Sequence, residues 1–145
     1  YNSSVLGFIA MTYRGAYNAS KFALEGLVDT LRLELYGTNI HLSLIEPGPI
    51  SSDFRKNAFA LYQKNIDPTH SPHKETYQTM EIRLQKKGPA VPFTLPADAV
   101  VEKVIHAMES KRPKIRYYVT IPTYVFGYLK RILPTSWLDY LARKV

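Results

Sequence analysis

Tyr17 and Lys21, four residues apart, are the side chains of this 145-residue sequence with the clearest capacity for proton chemistry. A spacing of four places both on one face of a helix. The lysine ammonium then favours the ionised phenol, since a unit charge at about 4 Å in an effective dielectric of about 20 contributes about 4 kcal/mol. The pair could therefore exchange a proton with a substrate alcohol near neutral pH.

The same pair also has a purely structural interpretation. A tyrosine ring and a lysine stem pack along apolar surface while their polar ends stay in water. With eleven tyrosines and eleven lysines, chance supplies about one such spacing, and Tyr140 and Lys144 form a second copy. Context separates the two copies, because only the first has Ser4 thirteen residues before its tyrosine and a Pro-Gly turn after its lysine.

The elements around Tyr17 are predicted to be a helix followed by a strand. Residues 16–36 contain no proline, and a helical stripe recurs at steps of four and three: Tyr17, Lys21, Leu24, Val28, Leu31 and Leu35. Gly37 supplies a helix stop. Residues 40–45 form a short, largely apolar strand that ends at Glu46-Pro47-Gly48-Pro49, so the segment predicts half of an α/β unit.

The remaining elements alternate in type. Residues 51–96 contain five prolines and predict a long irregular excursion with one or two short helices, a kind of segment that often acts as a lid. A helix is predicted from Pro96 to about Ser110, with a buried face made of Val100, Val101, Val104, Ile105 and Met108. A strand over residues 115–121 and an aromatic, basic segment over residues 122–145 follow.

Three stretches, in this order and spacing, resemble signatures of the short-chain dehydrogenase/reductase family: Ser4-Val5-Leu6-Gly7, Tyr17-Asn18-Ala19-Ser20-Lys21-Phe22-Ala23-Leu24-Glu25 and Glu46-Pro47-Gly48-Pro49-Ile50. Within the family, the chain is most similar to the retinol and hydroxysteroid dehydrogenase-like branch and to bacterial oxidoreductases that resemble it. The resemblance implies an α/β fold in which residues 1–145 form the second half of a Rossmann-like, doubly wound parallel sheet. Residues 51–96 would be the variable substrate loop.

The resemblance also assigns roles to residues. The catalytic group would be Ser4, Tyr17 and Lys21. Contacts to the cofactor, NAD or NADP with NADP slightly favoured, would come from Tyr17, Lys21, Pro47, Gly48, Ile50 and Ser52, where Ser52 replaces the usual threonine. Contacts to the substrate would come from Ser4, Phe54, Phe59 and Tyr62. The glycine-rich cofactor loop and the catalytic asparagine are expected upstream of Tyr1, so the cofactor-binding half is expected to be absent from this chain.

The function implied is hydride transfer between NAD(P)(H) and a small apolar alcohol or its ketone or aldehyde. Two alternatives stay open: a non-catalytic, dinucleotide-binding regulatory member of the family, and a protein that associates with a membrane surface. The family also implies a homodimer or homotetramer in the complete protein, formed through the helix over residues 16–36. A cytoplasmic location is expected, with peripheral membrane contact left open.

Charge and composition narrow the remaining function classes. The formal charge of +7 is uneven, since residues 1–50 carry three basic and four acidic residues and residues 111–145 carry eight basic residues and one acid. That basic, aromatic end could grip anionic lipid or pack on the body of the protein. No nucleic-acid-binding module accompanies it, so no nucleic-acid partner is predicted.

Cysteine and metal chemistry are not predicted. The sequence has no cysteine, so it can form neither a disulfide nor a thiolate nucleophile. Its four histidines, His41, His70, His73 and His106, have no metal-ligand spacing. No uncharged stretch is longer than residues 117–129, which are fewer than the roughly 20 residues needed to cross a bilayer. The first residue is not methionine and no signal-peptide pattern follows it, which predicts a chain cut from a longer one.

Overall fold

The computed structural model describes residues 1–89 and 91–144. Over these residues the chain forms two short strands and six α-helices: α1 (Gly15–Glu34), β1 (Leu44–Glu46), α2 (Phe54–Asn65), α3 (Lys74–Gln85), α4 (Asp98–Glu109), β2 (Arg116–Tyr118), α5 (Ile121–Ile132) and α6 (Thr135–Ala142). A 3₁₀ turn at Val5–Gly7 precedes α1.

β1 lies between two parallel backbone segments. On one side it pairs with β2 in a register that sets Ile45 opposite Tyr117. On the other side the first residues of the chain run parallel to it: the Ser3 N–H donates to the Ile45 carbonyl at 2.7 Å, and the Val5 N–H donates to the Pro47 carbonyl at 2.8 Å. Parallel neighbours need a crossover connection, and α1 provides the one between the first segment and β1.

Helices cover both faces of this small sheet. Ile45 and Tyr117 form a buried cluster against which Ala99, Val100 and Ala107 of α4 pack. Side chains alternate between faces along a strand, and the neighbouring Arg116 makes an ion pair with Glu25 of α1. α1 and α4 therefore lie on opposite faces, which gives an α/β architecture around a parallel sheet.

The predicted helix over residues 16–36 is confirmed as α1, with an earlier end. The helix stops at Glu34, and Gly37 adopts a positive φ of 84° in the turn that follows. Glycine takes this backbone conformation without the steric cost of a Cβ. Gly37 therefore lies in the turn after α1 and is not the residue at which the helix ends.

Both predicted strands are too long. β1 contains residues 44–46 and not residues 40–45, because its β2 partner runs only from Arg116 to Tyr118. The strand predicted to reach Ile121 ends earlier, since Thr120 is the N-cap of α5 and a proline occupies the first turn of that helix.

The excursion over residues 51–96, for which one or two short helices are predicted, contains two, α2 and α3. They pack against each other through aromatic rings, with the centroids of Tyr62 and Tyr77 5.9 Å apart. The Tyr62 hydroxyl also donates to Oε1 of Glu81 at 2.6 Å. The segment is therefore a helical hairpin joined to the sheet by irregular stretches.

The predicted buried face of α4 is wrong for most of its residues. Val101, Val104, Ile105 and Met108 are exposed, Met108 by 80%. A stripe through Ala99, Val100 and Ala107 faces the sheet instead. The apolar surface of α4 is wider than the short strands beneath it can cover.

Candidate active site

Ser4 lies where the first extended segment ends, beside the end of β1. Its side chain is the N-cap of the 3₁₀ turn, because Oγ accepts a hydrogen bond from the Leu6 N–H at 3.1 Å. The same hydroxyl points its proton toward the Pro47 carbonyl at 3.5 Å. The predicted catalytic serine and the Pro-Gly turn are thus neighbours at the carboxyl edge of the sheet, where ligands bind in open α/β folds.

α1 holds Tyr17 and Lys21 against the segment that carries Ser4. The ammonium of Lys21 donates to the carbonyl of Asn2 at 2.9 Å and lies 5.7 Å from the centroid of the Tyr17 ring. Tyr17 packs, half-buried, on the apolar cluster that begins with Val5. The structure therefore brings the extended segment with Ser4, the turn after it and the start of α1 into contact. Among the described residues, the hydroxyls of Ser4 and Tyr17 share no hydrogen bond.

Asn18 fixes this arrangement, a role that was not predicted from the sequence. Its side-chain amide donates to the carbonyls of Leu6 at 3.0 Å and Ile9 at 2.8 Å. The residue is buried in the middle of the helix–turn contact. Asparagine is an unfavourable residue inside a helix. Its position between Tyr17 and Lys21 was therefore the sequence feature that could have indicated a specific role for its side chain.

The turn after β1 lies tightly against the start of α5. A Cβ on Gly48 would fall 2.6 Å from Oγ1 of Thr123 and closer still to Oγ1 of Thr120. Both threonines are fully buried and their hydroxyls are 3.1 Å apart. Glycine is required at this position by close packing.

Ile50 has a backbone suited to recognising an amide. The flanking Ser51 N–H donates to the Leu95 carbonyl at 2.8 Å, and the Leu95 N–H donates to the Pro49 carbonyl at 3.1 Å. The N–H and carbonyl of Ile50 itself pair with no described residue. One donor and one acceptor are therefore available together at the end of the turn.

The other predicted contact residues are less closely grouped. Ser52 is exposed and its Oγ accepts from the Phe54 N–H at 3.4 Å. The Phe54 ring meets Tyr17 edge-on, with centroids 5.8 Å apart. Phe59 and Tyr62 stack on each other at 6.4 Å within the α2–α3 hairpin. Phe54 is therefore the predicted substrate contact that the structure brings to Tyr17.

A charged network joins α1 to the end of β1. Arg116 donates to the carboxylates of Glu25, of Glu46 at 2.5 Å and of Asp29 at 2.6 Å. Burial, reinforced by the charge of Glu25, raises the pKa of Glu46 from 4.5 to about 8, against the opposing effect of Arg116. Burial by itself would lower the pKa of Arg116, but its hydrogen bonds to both glutamates raise it overall. Glu46 immediately precedes Pro47, so the network fixes the strand end.

A cavity of about 660 Å³ opens beside the start of α1. It lies between the segment Met11–Arg14 and helix α3, and none of the predicted site residues lines it. Burial lowers the pKa of Arg14 in its wall, and the nearby charge of Arg83 lowers it further. Arg14 is the N-cap of α1 and lies three residues before Tyr17, so the wall of the cavity includes the start of the helix that carries the phenol.

Residues 1–89 and 91–144 contain neither a membrane-spanning helix nor a cluster of metal-binding side chains. No helix in this part of the chain combines the length and apolar character needed to cross a bilayer. Within the same residues, no group of three or more histidine, aspartate or glutamate side chains could hold a metal ion.

Comparison with known proteins identifies relatives of the chain. Residues 2–63 match the family described as short chain dehydrogenase. The uncharacterized oxidoreductase YbbO of Escherichia coli (strain K12) is 43% identical over 94% of this chain and 45% of its own length. The NADPH-dependent 3-dehydrocapnine reductase of Ornithobacterium rhinotracheale is 31% identical over 98% and 48%. Retinol dehydrogenase 8 of Homo sapiens is 32% identical over 82% and 38%.

These matches confirm the resemblance that the three sequence stretches indicated. They also set its extent, because the chain spans about half the length of the curated relatives it matches.

Proposed function

We propose that the complete protein to which this short-chain dehydrogenase/reductase chain belongs interconverts an apolar alcohol and its ketone or aldehyde by hydride transfer with NAD(P)(H). The observation that carries the proposal is the placement of Tyr17 and Lys21 against the segment that ends in Ser4. That segment ends beside Pro47 at the carboxyl edge of the sheet. The rest of the doubly wound sheet, with its glycine-rich turn, would come from the remainder of the protein.

Three side chains would share the proton chemistry. Ser4 would donate a hydrogen bond to the substrate oxygen, and its long 3.5 Å contact with the Pro47 carbonyl leaves its proton free to turn. Tyr17 would give or take a proton at its phenolic oxygen. Lys21, held in place by the Asn2 carbonyl, would stabilise the phenolate by its charge.

The residues present fit a nicotinamide cofactor. The N–H and carbonyl of Ile50, which have no partner within residues 1–89 and 91–144, match the acceptor and donor of a carboxamide. Lys21 uses one of its three ammonium protons on Asn2, so two remain for ribose hydroxyls. When bound, the cofactor supplies the hydride acceptor or donor. NADP is slightly favoured, in keeping with the relative named as NADPH-dependent.

The test is a steady-state assay of the complete protein with NADPH and NADH. Medium-chain and polycyclic ketones, aldehydes and alcohols should be turned over better than small polar carbonyls, because Phe54 adjoins Tyr17 and offers apolar contact. Equal or better turnover of small polar carbonyls would contradict the apolar substrate class. Tight NADPH binding without turnover of any of these compounds would favour the non-catalytic, regulatory alternative.

Contact with a membrane surface is a second function that one observation favours. Helix α5 buries Phe126 and Gly127 and leaves a second apolar stripe exposed, formed by Ile121, Val125, Tyr128 and Ile132. In α6, Trp137 and Tyr140 are also exposed. Basic side chains at the ends of these helices add attraction for anionic lipid.

Vesicle sedimentation tests this second function. The complete protein should bind vesicles that contain phosphatidylserine more strongly than phosphatidylcholine vesicles, and Val125→Glu should weaken that binding. Ile40→Glu, at an exposed position outside both helices, serves as the control. Equal sedimentation of the wild type and Val125→Glu would show that this surface does not contact the membrane.

A further inference from the structure

The cavity beside the start of α1 is electropositive. Arg14, Arg83 and Lys86 contribute to its wall, and none of the described residues that line it is an aspartate or glutamate. The rest of the lining includes apolar side chains from both sides: Met11, Met80, Ile82 and Val91. A cavity with this wall offers an apolar surface and three cations in one place.

The two arginines of the cavity have no carboxylate partner among the described residues. Arg32 and Arg116 are the two of the chain's eight arginines that form ion pairs there, so Arg14 and Arg83 belong to the six that form none. The side-chain contact of Arg14 is with the sulfur of Met11, at 3.2 Å. A guanidinium that is partly buried beside a second one is costly unless an anion joins them.

The start of α1 adds to the positive potential. The helix begins at Gly15, its N-cap Arg14 makes no side-chain capping bond, and its first turn carries no acidic residue. The positive end of a 20-residue helix therefore meets the same space as the two guanidiniums. Nothing in the described wall neutralises either contribution.

We propose that this cavity binds an anionic oxygen group, such as a carboxylate, sulfonate or phosphate, at one end of an otherwise apolar ligand. Arg14 and Arg83 would hold the anionic group, and the methionine, isoleucine and valine side chains would hold the apolar body. If the proposed oxidoreductase function holds, on which this part rests, the ligand is the substrate. The substrate class is then an amphiphilic acid and not a purely apolar alcohol or carbonyl.

The position of the cavity supports this link to the substrate. Arg14 is the N-cap of α1 and precedes Tyr17 by three residues, about one helical turn, so the two residues occupy neighbouring positions at the start of the helix. A volume of about 660 Å³ is within the range of small-molecule sites. An anion held at Arg14 would therefore lie near the end of the ligand that reacts at Tyr17.

A binding measurement tests the site without requiring activity. Decanoate and 1-decanol, below their aggregation limits, are titrated calorimetrically into the complete protein. Decanoate should bind about tenfold more tightly than decanol. Arg83→Gln should lower the affinity for decanoate about tenfold and leave the affinity for decanol unchanged. Arg112→Gln, at an exposed position between α4 and β2 and outside this cavity, should behave as wild type. Equal affinity for the two ligands, or an Arg83→Gln variant that keeps the preference, would overturn the inference.

A kinetic measurement separates this inference from the proposed function. The substrates are a medium-chain oxo acid and its methyl ester, assayed with NADPH. The acid should have the higher kcat/KM, and Arg83→Gln should lower kcat/KM for the acid but not for the ester. Turnover of both with no preference would overturn the anionic class and leave the oxidoreductase function standing. Selective decanoate binding with no turnover of either substrate would support the anion site and contradict the oxidoreductase function.

Discussion

Three carboxylates converge on Arg116 at the interface between α1 and the sheet. Glu46 is entirely buried, and one oxygen of Glu46 and one of Glu25 have no hydrogen-bond partner among the described residues. Two negative charges so close together in a buried place repel each other, and burial disfavours both. A proton retained at Glu46 therefore stabilises the folded state.

Stability should fall as pH rises from about 4.5 to about 8, the unfolded and folded pKa values of Glu46. In this interval the folded protein binds more protons than the unfolded chain, so each rise in pH favours unfolding. The contribution is complete below the lower value and is lost as pH passes the upper one. Urea unfolding of the complete protein at a series of pH values measures the slope.

Two variants isolate the effect of Glu46. Glu46→Gln cannot lose its proton and should flatten the dependence of stability on pH in this interval. Glu34→Gln changes an exposed residue of α1 and should keep the wild-type slope. A Glu46→Gln protein with the wild-type slope would show that another group is responsible.

At the scale of elements, the contact between the end of β1 and the start of α5 is the tightest of those that hold the site. Gly48→Ala would drive a methyl group into Thr120 and Thr123, both buried. Overpacking of this kind typically costs about 1–3 kcal/mol. Urea unfolding should show a loss of this size, together with weaker NADPH binding because the turn must move.

A second glycine provides the control for this variant. Gly26 lies inside α1, and a Cβ there would meet no atom within 4 Å. Gly26→Ala should therefore stabilise the protein, by about 0.5–1 kcal/mol. If both variants had the same effect on stability, close packing at Gly48 would not be the reason for its glycine.

The elements show what local sequence can and cannot predict. Steps of four and three located α1 correctly, since its buried Val28 faces the body and helical periodicity is a local property. Helical periodicity did not predict the buried face of α4. The width of the sheet decides which apolar residues of α4 are buried, and this width is not a local property. The predicted strand ends were wrong for a related reason: the paired part of β1 is limited by the length of β2, a segment distant in the sequence.

The candidate site, like the fold, was predicted only in part. Spacing and family resemblance singled out Ser4, Tyr17 and Lys21, which the structure places around one segment. Their roles remain predictions. The Asn18 clamp, the Glu46 network and the cavity at Arg14 were missed, because each depends on contacts between residues distant in the sequence or on the absence of a partner charge.

At the scale of the whole molecule, α1 leaves an apolar face uncovered. Leu27 is 55% exposed, and Leu24 and Leu31, three and four residues from it, lie on the same side of the helix and are only half-buried. Exposed apolar faces of this kind mark interaction sites. We propose that a second copy of the protein covers this face, which gives the homodimer or homotetramer expected from the sequence.

Light scattering coupled to gel filtration tests the oligomer. Leu27→Glu places a charge in the proposed interface and should shift the complete protein toward monomer at micromolar concentration. Ile66→Glu, at an exposed position away from α1, should leave the mass unchanged. A wild-type protein that is monomeric, or a Leu27→Glu variant of unaltered mass, would contradict the proposal.

The proposed function depends on the phenol of Tyr17, and a second tyrosine–lysine pair in the chain provides a control. Tyr140 and Lys144 repeat the spacing, with the ammonium 4.4 Å from the ring centroid, but they lie in α6 and the residues after it. The decisive measurement compares turnover and NADPH binding of Tyr17→Phe and Tyr140→Phe in the complete protein. Tyr17→Phe should lose at least about 10²-fold in kcat with NADPH binding retained, while Tyr140→Phe keeps both; full turnover by Tyr17→Phe would contradict the account.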